Sequence, residues 1–309
     1  MTVENRLSGP LDDPAGEAGH VGHPPRVGFF TDTSVCIGCK ACEVACKEWN
    51  LVPDDGFNLL GRSYDNSGGL SADTWRHVAF VEQKLPSPDT SHAGLDVLAM
   101  AAAGPQDPTA AGPDLTGGRP DFRWLMASDV CKHCTDAACL DVCPTGSLFR
   151  TEFGTVVVQQ DICNGCGYCV SACPFGVIAR REDDGRAWKC TLCYDRIGDG
   201  MTPACAKACP TESIQYGDVD ELRERAHARL HQLQAAGVAD AQLYGEDEGD
   251  GVGGFGAFFL LLDKPETYGL PPDPVASTRD LWSMWKHATV AALGLLGGVA
   301  AVFVKAGKR

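Results

Sequence analysis

Sixteen cysteines stand in this chain of 309 residues, and they divide into four groups of four with none left over. The groups are Cys36/Cys39/Cys42/Cys46, Cys131/Cys134/Cys139/Cys143, Cys163/Cys166/Cys169/Cys173 and Cys190/Cys193/Cys205/Cys209. The first and third read C-x2-C-x2-C-x3-C, which crowds three thiols into seven residues. Such crowding fits poorly with the Cα separations that disulfides need and with the small secreted domains that rely on them. It suits a cube of iron and sulfur, because three thiolates on one tight loop cap three of its corners. At four ligands each, the sixteen thiols hold four 4Fe-4S clusters. A chain that commits every cysteine in this way reads as a wire for electrons.

Zinc is the strongest competing reading for one group, since Cys190-x2-Cys193 followed by Cys205-x3-Cys209 has the look of a four-cysteine zinc site. Its neighbours argue for clusters. Cys143, Cys173 and Cys209 are each followed by proline (Pro144, Pro174, Pro210), the ending of the bacterial ferredoxin motif. Cys46, followed by Lys47, departs from that ending with its spacing intact. In a two-cluster ferredoxin the fourth cysteine of each motif ligates the other cluster, so four motifs make two crossed pairs. Groups two and three are adjacent and pair without a long connection, leaving groups one and four to embrace them. One inner cluster is then expected on Cys131, Cys134, Cys139 and Cys173, and its mate on Cys163, Cys166, Cys169 and Cys143. The outer clusters are expected on Cys36, Cys39, Cys42 and Cys209, and on Cys190, Cys193, Cys205 and Cys46.

A hydrophobic content of 44% with 22% charged residues is that of a globular protein, yet the cysteine-rich stretches hold few large aliphatic side chains. The clusters must act as core, and the metal-free chain is expected to be largely unfolded over 31–217. The formal net charge of -15 argues against nucleic acid, because no basic surplus exists to neutralise phosphates. Lys40, Lys47, Lys132, Lys189 and Lys207 lie in or beside the cysteine groups. They are either moderators of the clusters' negative field or ordinary solvated charges.

The fold expected is α+β, two interleaved two-cluster ferredoxin-like modules with one C-terminal transmembrane helix. Residues 1–30 read as a flexible N-terminal tail without the apolar run of a secretory signal. Residues 31–84 and 187–217 form the outer module, 121–186 the inner one, and 85–120 an inserted surface loop rich in Pro, Gly, Ala, Asp and Thr. Within these, the loop from Cys36 runs into a short helix carrying Cys46, and strands are expected near 77–82, 154–159, 187–190 and 213–216. Residues 218–280 supply a helix and a wrapping segment: Asp218 or Asp220 caps a helix with Leu222, Ala226, Leu230 and Leu233 at helical spacing, ending near Gly237. A solvated acidic turn is expected at 246–254, its carboxylates lacking calcium-loop spacing, and a buried strand at 255–262.

From Ala288 to Val304 no charge occurs, a 17-residue run bounded by Lys286-His287 and Lys305. At 1.5 Å per residue it spans about 25 Å, and extension back to Leu281, with Trp282 and Trp285 suited to an interface, makes 281–305 a membrane anchor. A buried soluble helix is the alternative. Gly294-x3-Gly298 offers a narrow face for another membrane helix. Lys305, Lys308 and Arg309 follow the run, a bias that favours a cytoplasmic C-terminus and places the cluster domain on the outer face. No export signal is visible, so export would depend on a partner bearing a twin-arginine signal.

The chain resembles the iron-sulfur beta subunit of membrane-bound respiratory formate dehydrogenase. The resemblance rests on CIGCKACEVACKEWN from Cys36, LSADTWRHVAFVE from Leu70, CNGCGYCVSACPFGVI from Cys163, KCTLCYDRI from Lys189, PACAKACPT from Pro203 and GVGGFGAFFLLLDKPETYGLP from Gly251. It implies a non-catalytic electron-transfer subunit for anaerobic respiration. The implied partners are a molybdopterin (Mo or W) catalytic alpha subunit and a membrane cytochrome b gamma subunit that reduces quinone, with one helix in the lipid. It also implies the same crossed ligation by all sixteen cysteines. The cysteine motifs alone admit the equivalent subunit of a hydrogenase or of a sulfoxide or polysulfide reductase. A stand-alone iron-sulfur enzyme would need a cluster with an open iron, commonly from C-x3-C-x2-C, and that triplet is absent.

Overall fold

The computed structural model describes residues 13–56, 65, 67–84, 122–279 and 281–306. In chain order the strands are β1 Val27–Asp32, β2 Arg76–Lys84, β3 Phe122–Val130, β4 Leu148–Arg150, β5 Val156–Val158, β6 Ala179–Arg180, β7 Ala187–Trp188, β8 Ile214–Asp218, β9 Gln242–Tyr244 and β10 Ala257–Leu261. The helices are α1 Pro14–Glu17, α2 Ala41–Asn50, α3 Ala138–Asp141, α4 Tyr168–Ala172, α5 Tyr194–Gly198, α6 Ala204–Lys207, α7 Val219–Ala235 and α8 Leu281–Ala306. This is an α+β fold of ferredoxin-like units with a single C-terminal apolar helix.

The main core is a four-stranded sheet in the order β8-β1-β10-β9. β1 runs parallel to β10, with Phe29 opposite Ala257, and antiparallel to β8, with Phe29 opposite Tyr216. Every residue of β10 is buried, which is why its sequence is an unbroken apolar run rather than an alternation. Burying Phe258, Phe259 and Leu260 contributes roughly 1.5–3 kcal/mol apiece. Gly28 lets β1 approach so closely that a Cβ there would lie 1.9 Å from the Gly256 carbonyl oxygen. α7 begins where Asp218 accepts from the N–H groups of Asp220 (2.9 Å) and Glu221 (3.3 Å). It seats Leu222 and Ala226 in this core, with Leu230 and Leu233 against its edge.

The cysteine loops repeat one plan. α3 and α4 carry Cys139 and Cys169 and pack together, each followed by a small hairpin, β4–β5 and β6–β7. α2 carries Cys42 and Cys46 and packs on α6, which carries Cys205. The first and fourth groups are thus joined across the chain, as are the second and third.

Three segments differ from the sequence reading. Residues 13–30 are no tail: Asp13 caps α1, His20 Nε2 meets the Arg150 carbonyl at 2.9 Å, and β1 lies inside the core sheet. Charge and glycine content around α1 concealed the apolar pair Phe29-Phe30, the first strand's buried centre. β3 pairs with β2 from Arg76↔Val130 to Lys84↔Phe122, a strand the sequence does not announce, so a boundary at 121 cuts a hairpin. The turn at 246–254 is solvated only in its first half: Val252, Gly253 and Gly254 are buried, and the carbonyls of Val252 and Gly254 accept from Asp136 and Thr135. The expected insertion at 85–120 lies outside the described residues.

Candidate iron-sulfur sites

Burial pushes the Cys42 thiol up to about 11 and those of Cys139 and Cys190 up to about 12, so metal loading must strip protons from these groups at neutral pH. Cys143 moves the other way: burial also opposes its thiolate, yet the Leu148 N–H and the Thr145 and Ser147 groups outweigh it and bring the thiol down to about 7.

The thiols gather in four neighbourhoods. Cys131, Cys134, Cys139 and Cys173 line one cavity with Pro174 and Val177. Cys169 lies in the field of Cys163, Cys166 and Cys143. Cys46 lies in the field of Cys190, Cys205 and Cys193, and Cys36 in that of Cys209 and Cys39. On Cys42 the thiolate influence comes from Cys205, a member of another expected set. Cross-influences of this kind link the neighbourhoods in a row: Cys169 acts on Cys139, Cys131 on Cys190, and Cys205 on Cys42.

Among the described residues no group of three or more His, Cys, Asp or Glu side chains converges on a single metal-ion position. A cube holds its four thiolates apart at its corners. The donors around the sulfurs suit an anionic group of that size. Arg76 donates to Cys205 Sγ at 3.2 Å, and Asn50 reaches the sulfurs of Cys46 and Cys193 at 3.7 Å each. The N–H groups of Leu192 and Ala187 donate to Cys190 and Cys163 at 3.3 and 3.4 Å, and Ser128 Oγ lies 3.3 Å from Cys42 Sγ.

The five lysines occupy different environments. Lys40 pairs with Glu43 at 3.4 Å, Lys47 with Asp55 at 2.8 Å, and Lys132 with Asp129; Lys207 is exposed. Lys189 alone is buried without a carboxylate partner among the described residues, its ammonium held by the carbonyls of Val156 and Cys190, in the field of Cys131 and Cys139. Sequence reasoning missed three arginines. Arg26 and Arg150 tie down the carbonyls of the 133–135 loop, and Arg76 reaches a ligand sulfur. Their only signal was position, an arginine amid apolar neighbours such as Trp75 and Val78.

Comparison with known proteins matches the same segments. Residues 122–219 fit the model of a 4Fe-4S dicluster domain, and residues 33–49 that of a 4Fe-4S binding domain. The iron-sulfur subunit of the nitrate-inducible formate dehydrogenase of Escherichia coli is 37% identical over 277 residues, covering 88% of this chain and 81% of the relative. This protein belongs to the iron-sulfur subunits of formate dehydrogenase. The Haemophilus influenzae formate dehydrogenase iron-sulfur subunit is 35% identical over 90% of this chain and 78% of its own length. A subunit of the E. coli anaerobic dimethyl sulfoxide reductase is 35% identical over 65% of this chain and 77% of its own length. The formate dehydrogenase subunits match across more of the chain than the sulfoxide reductase subunit does. As a member of this family the chain is an electron-transfer subunit with four 4Fe-4S clusters.

Proposed function

We infer that this subunit is a non-catalytic relay, taking electrons from formate oxidation at a molybdopterin subunit and delivering them to a membrane cytochrome b subunit that reduces quinone. The observation that carries the reading is the row of four thiol neighbourhoods linked through Cys42/Cys205, Cys190/Cys131 and Cys139/Cys169. When bound, the clusters supply one-electron transfer; the chain's part is to hold, insulate and tune them. The ligand sets assigned are the crossed ones: Cys36, Cys39, Cys42 and Cys209; Cys190, Cys193, Cys205 and Cys46; Cys131, Cys134, Cys139 and Cys173; Cys163, Cys166, Cys169 and Cys143.

The two ends of the row differ in what surrounds them. At one, Cys39 is exposed beside Ile37 and Val44, which are 58% and 60% exposed, a surface suited to the catalytic partner. At the other, Cys166 is exposed near Ile162 and Tyr168, and Asp141 of α3 accepts from Thr278 Oγ1 at 2.5 Å, just ahead of α8. That tether supports a membrane end at the Cys163 neighbourhood. Ser283–Phe303 of α8 has a mean hydropathy of 1.5 and none of it is buried, so the buried-soluble-helix alternative loses its support and a lipid anchor is the reading favoured. The basic residues after the apolar run favour an outer-face cluster domain.

Purification of the assembled complex tests the relay. Formate-dependent reduction of a quinone analogue is expected, and a complex that reduces an artificial dye at the catalytic subunit yet reduces quinone equally well without this chain would refute it. For sidedness, protease added to intact spheroplasts should cut the cluster domain; protection until the membrane is broken would refute the outer-face assignment.

A further inference from the structure

Arg76 leads the fully buried side chains by volume, at 1% exposure. Arg150 and Lys189 rest on backbone carbonyls, whereas Lys132 is answered by the carboxylate of Asp129 and the partly covered Arg229 by that of Asp32. Arg76 is not: among the described residues its polar partners are Ser128 O at 3.1 Å, Ser128 Oγ at 3.4 Å and Cys205 Sγ at 3.2 Å. Its guanidinium carbon lies 4.9 Å over the Phe29 ring, and Nε is buried without a hydrogen-bond partner. A desolvated, unpaired guanidinium is costly unless anions face it. The anions available are thiolates, Cys205 in direct contact and Cys42 through the Ser128 hydroxyl, which lies 3.3 Å from its sulfur.

Resting on the relay reading, we propose that Arg76 is a fixed positive charge that raises the reduction potential of the cluster carrying Cys205, making it the electron sink of the outer pair. Reduction adds one electron and one negative charge to a site already anionic from its four thiolates. A buried cation in contact with a ligand sulfur therefore stabilises the reduced form more than the oxidised one. Every sulfur of that neighbourhood has a donor: Asn50 serves Cys46 and Cys193, the Leu192 N–H serves Cys190 and Arg76 serves Cys205. Lys189 adds a second buried cation beside Cys190. The electron arrives from the neighbouring cluster and leaves to the next, so no other reactant is required.

Redox titration of the assembled complex, followed by electron paramagnetic resonance, tests this in Arg76→Gln, with the relevant signal identified through Cys205→Ser. Identification through Cys205 keeps the test independent of which cluster Cys46 joins, and it does not depend on formate turnover. The midpoint of that signal is expected to move negative, with a smaller negative shift for the cluster of Cys42 and none for the other two. An unmoved or positive midpoint, or an equal shift in all four, overturns the proposal. A merely structural arginine would instead lose iron while the remaining clusters titrate at the native midpoint. Should Arg76→Gln fail to assemble, Arg76→Lys decides alone: its shorter, forkless ammonium predicts a smaller negative shift of the same midpoint, and no shift overturns the proposal.

Discussion

Replacing Arg229 by methionine asks whether the C-terminal part of the protein braces the first cysteine loop. Arg229 Nε donates to Asp32 Oδ2 at 3.0 Å and Nη2 to Ser34 Oγ at 2.9 Å, while Asp32 Oδ1 accepts from the Ser34 N–H at 2.9 Å and its hydroxyl at 2.6 Å. This knot lies two residues ahead of Cys36. The Asp32 side chain is 5% exposed and that of Arg229 34%. Breaking a fully buried pair costs about 3–5 kcal/mol, against about 0.2–1 kcal/mol for a surface pair. Half-cover on the arginine places Arg229→Met at about 2 kcal/mol, because Asp32 keeps its Ser34 donors and water can enter where the guanidinium stood. If the loop opens locally before iron escapes, that cost accelerates release about thirtyfold. The effect should be confined to the cluster assigned to Cys36, Cys39, Cys42 and Cys209, about one quarter of the iron. The assay is anaerobic transfer of iron from the assembled complex to a chelator, followed by visible absorbance. Adding Asp32→Asn removes the stranded charge and should recover most of the rate. Acceleration below about threefold, or spread evenly over all the iron, refutes the reasoning.

Cys46→Ser should alter the spectrum of the cluster on Cys190, Cys193 and Cys205, whose thiolates surround it, and spare that of Cys36; electron paramagnetic resonance of this variant beside the unaltered protein reads the difference. Gly245→Ala should destabilise the fold by about 3 kcal/mol, because Gly245 has φ +87° and a Cβ there would lie 1.9 Å from the Phe255 ring. Phe255 meets Phe175, two residues after Cys173, edge-on at 5.2 Å, so denaturant titration should show a lowered midpoint accompanied by early loss of that cluster. Removal of 281–309 should release the chain from membranes with its iron content unchanged, since the apolar stretch of α8 is unburied; fractionation after alkaline and salt washes checks it.

The cysteine grouping was legible because cluster ligation imposes local spacing, and the order of the groups was enough to suggest how they pair. The strand of Ala257–Leu261 and the helix after Asp218 were legible for the same kind of reason, one an unbroken apolar run and the other a capped period of leucines. What stayed hidden depends on partners far away in sequence. β1 is recognisable only once β8 and β10 flank it from positions 214–218 and 257–261, and β3 once β2 faces it across 85–121. Which cations serve the sites stayed hidden for the same reason. Proximity to a cysteine in sequence drew attention to Lys40 and Lys47, which fold onto carboxylates, whereas Arg76 reaches Cys205 from 129 positions away.

Anaerobic quantification of iron and acid-labile sulfide in the purified subunit addresses the central claim most directly. Four fully ligated cubes predict about sixteen irons and about sixteen sulfides per chain, with no zinc. A stable chain with about twelve of each and one zinc would return Cys190, Cys193, Cys205 and Cys209 to a structural metal site and break the relay between the Cys36 and Cys131 neighbourhoods.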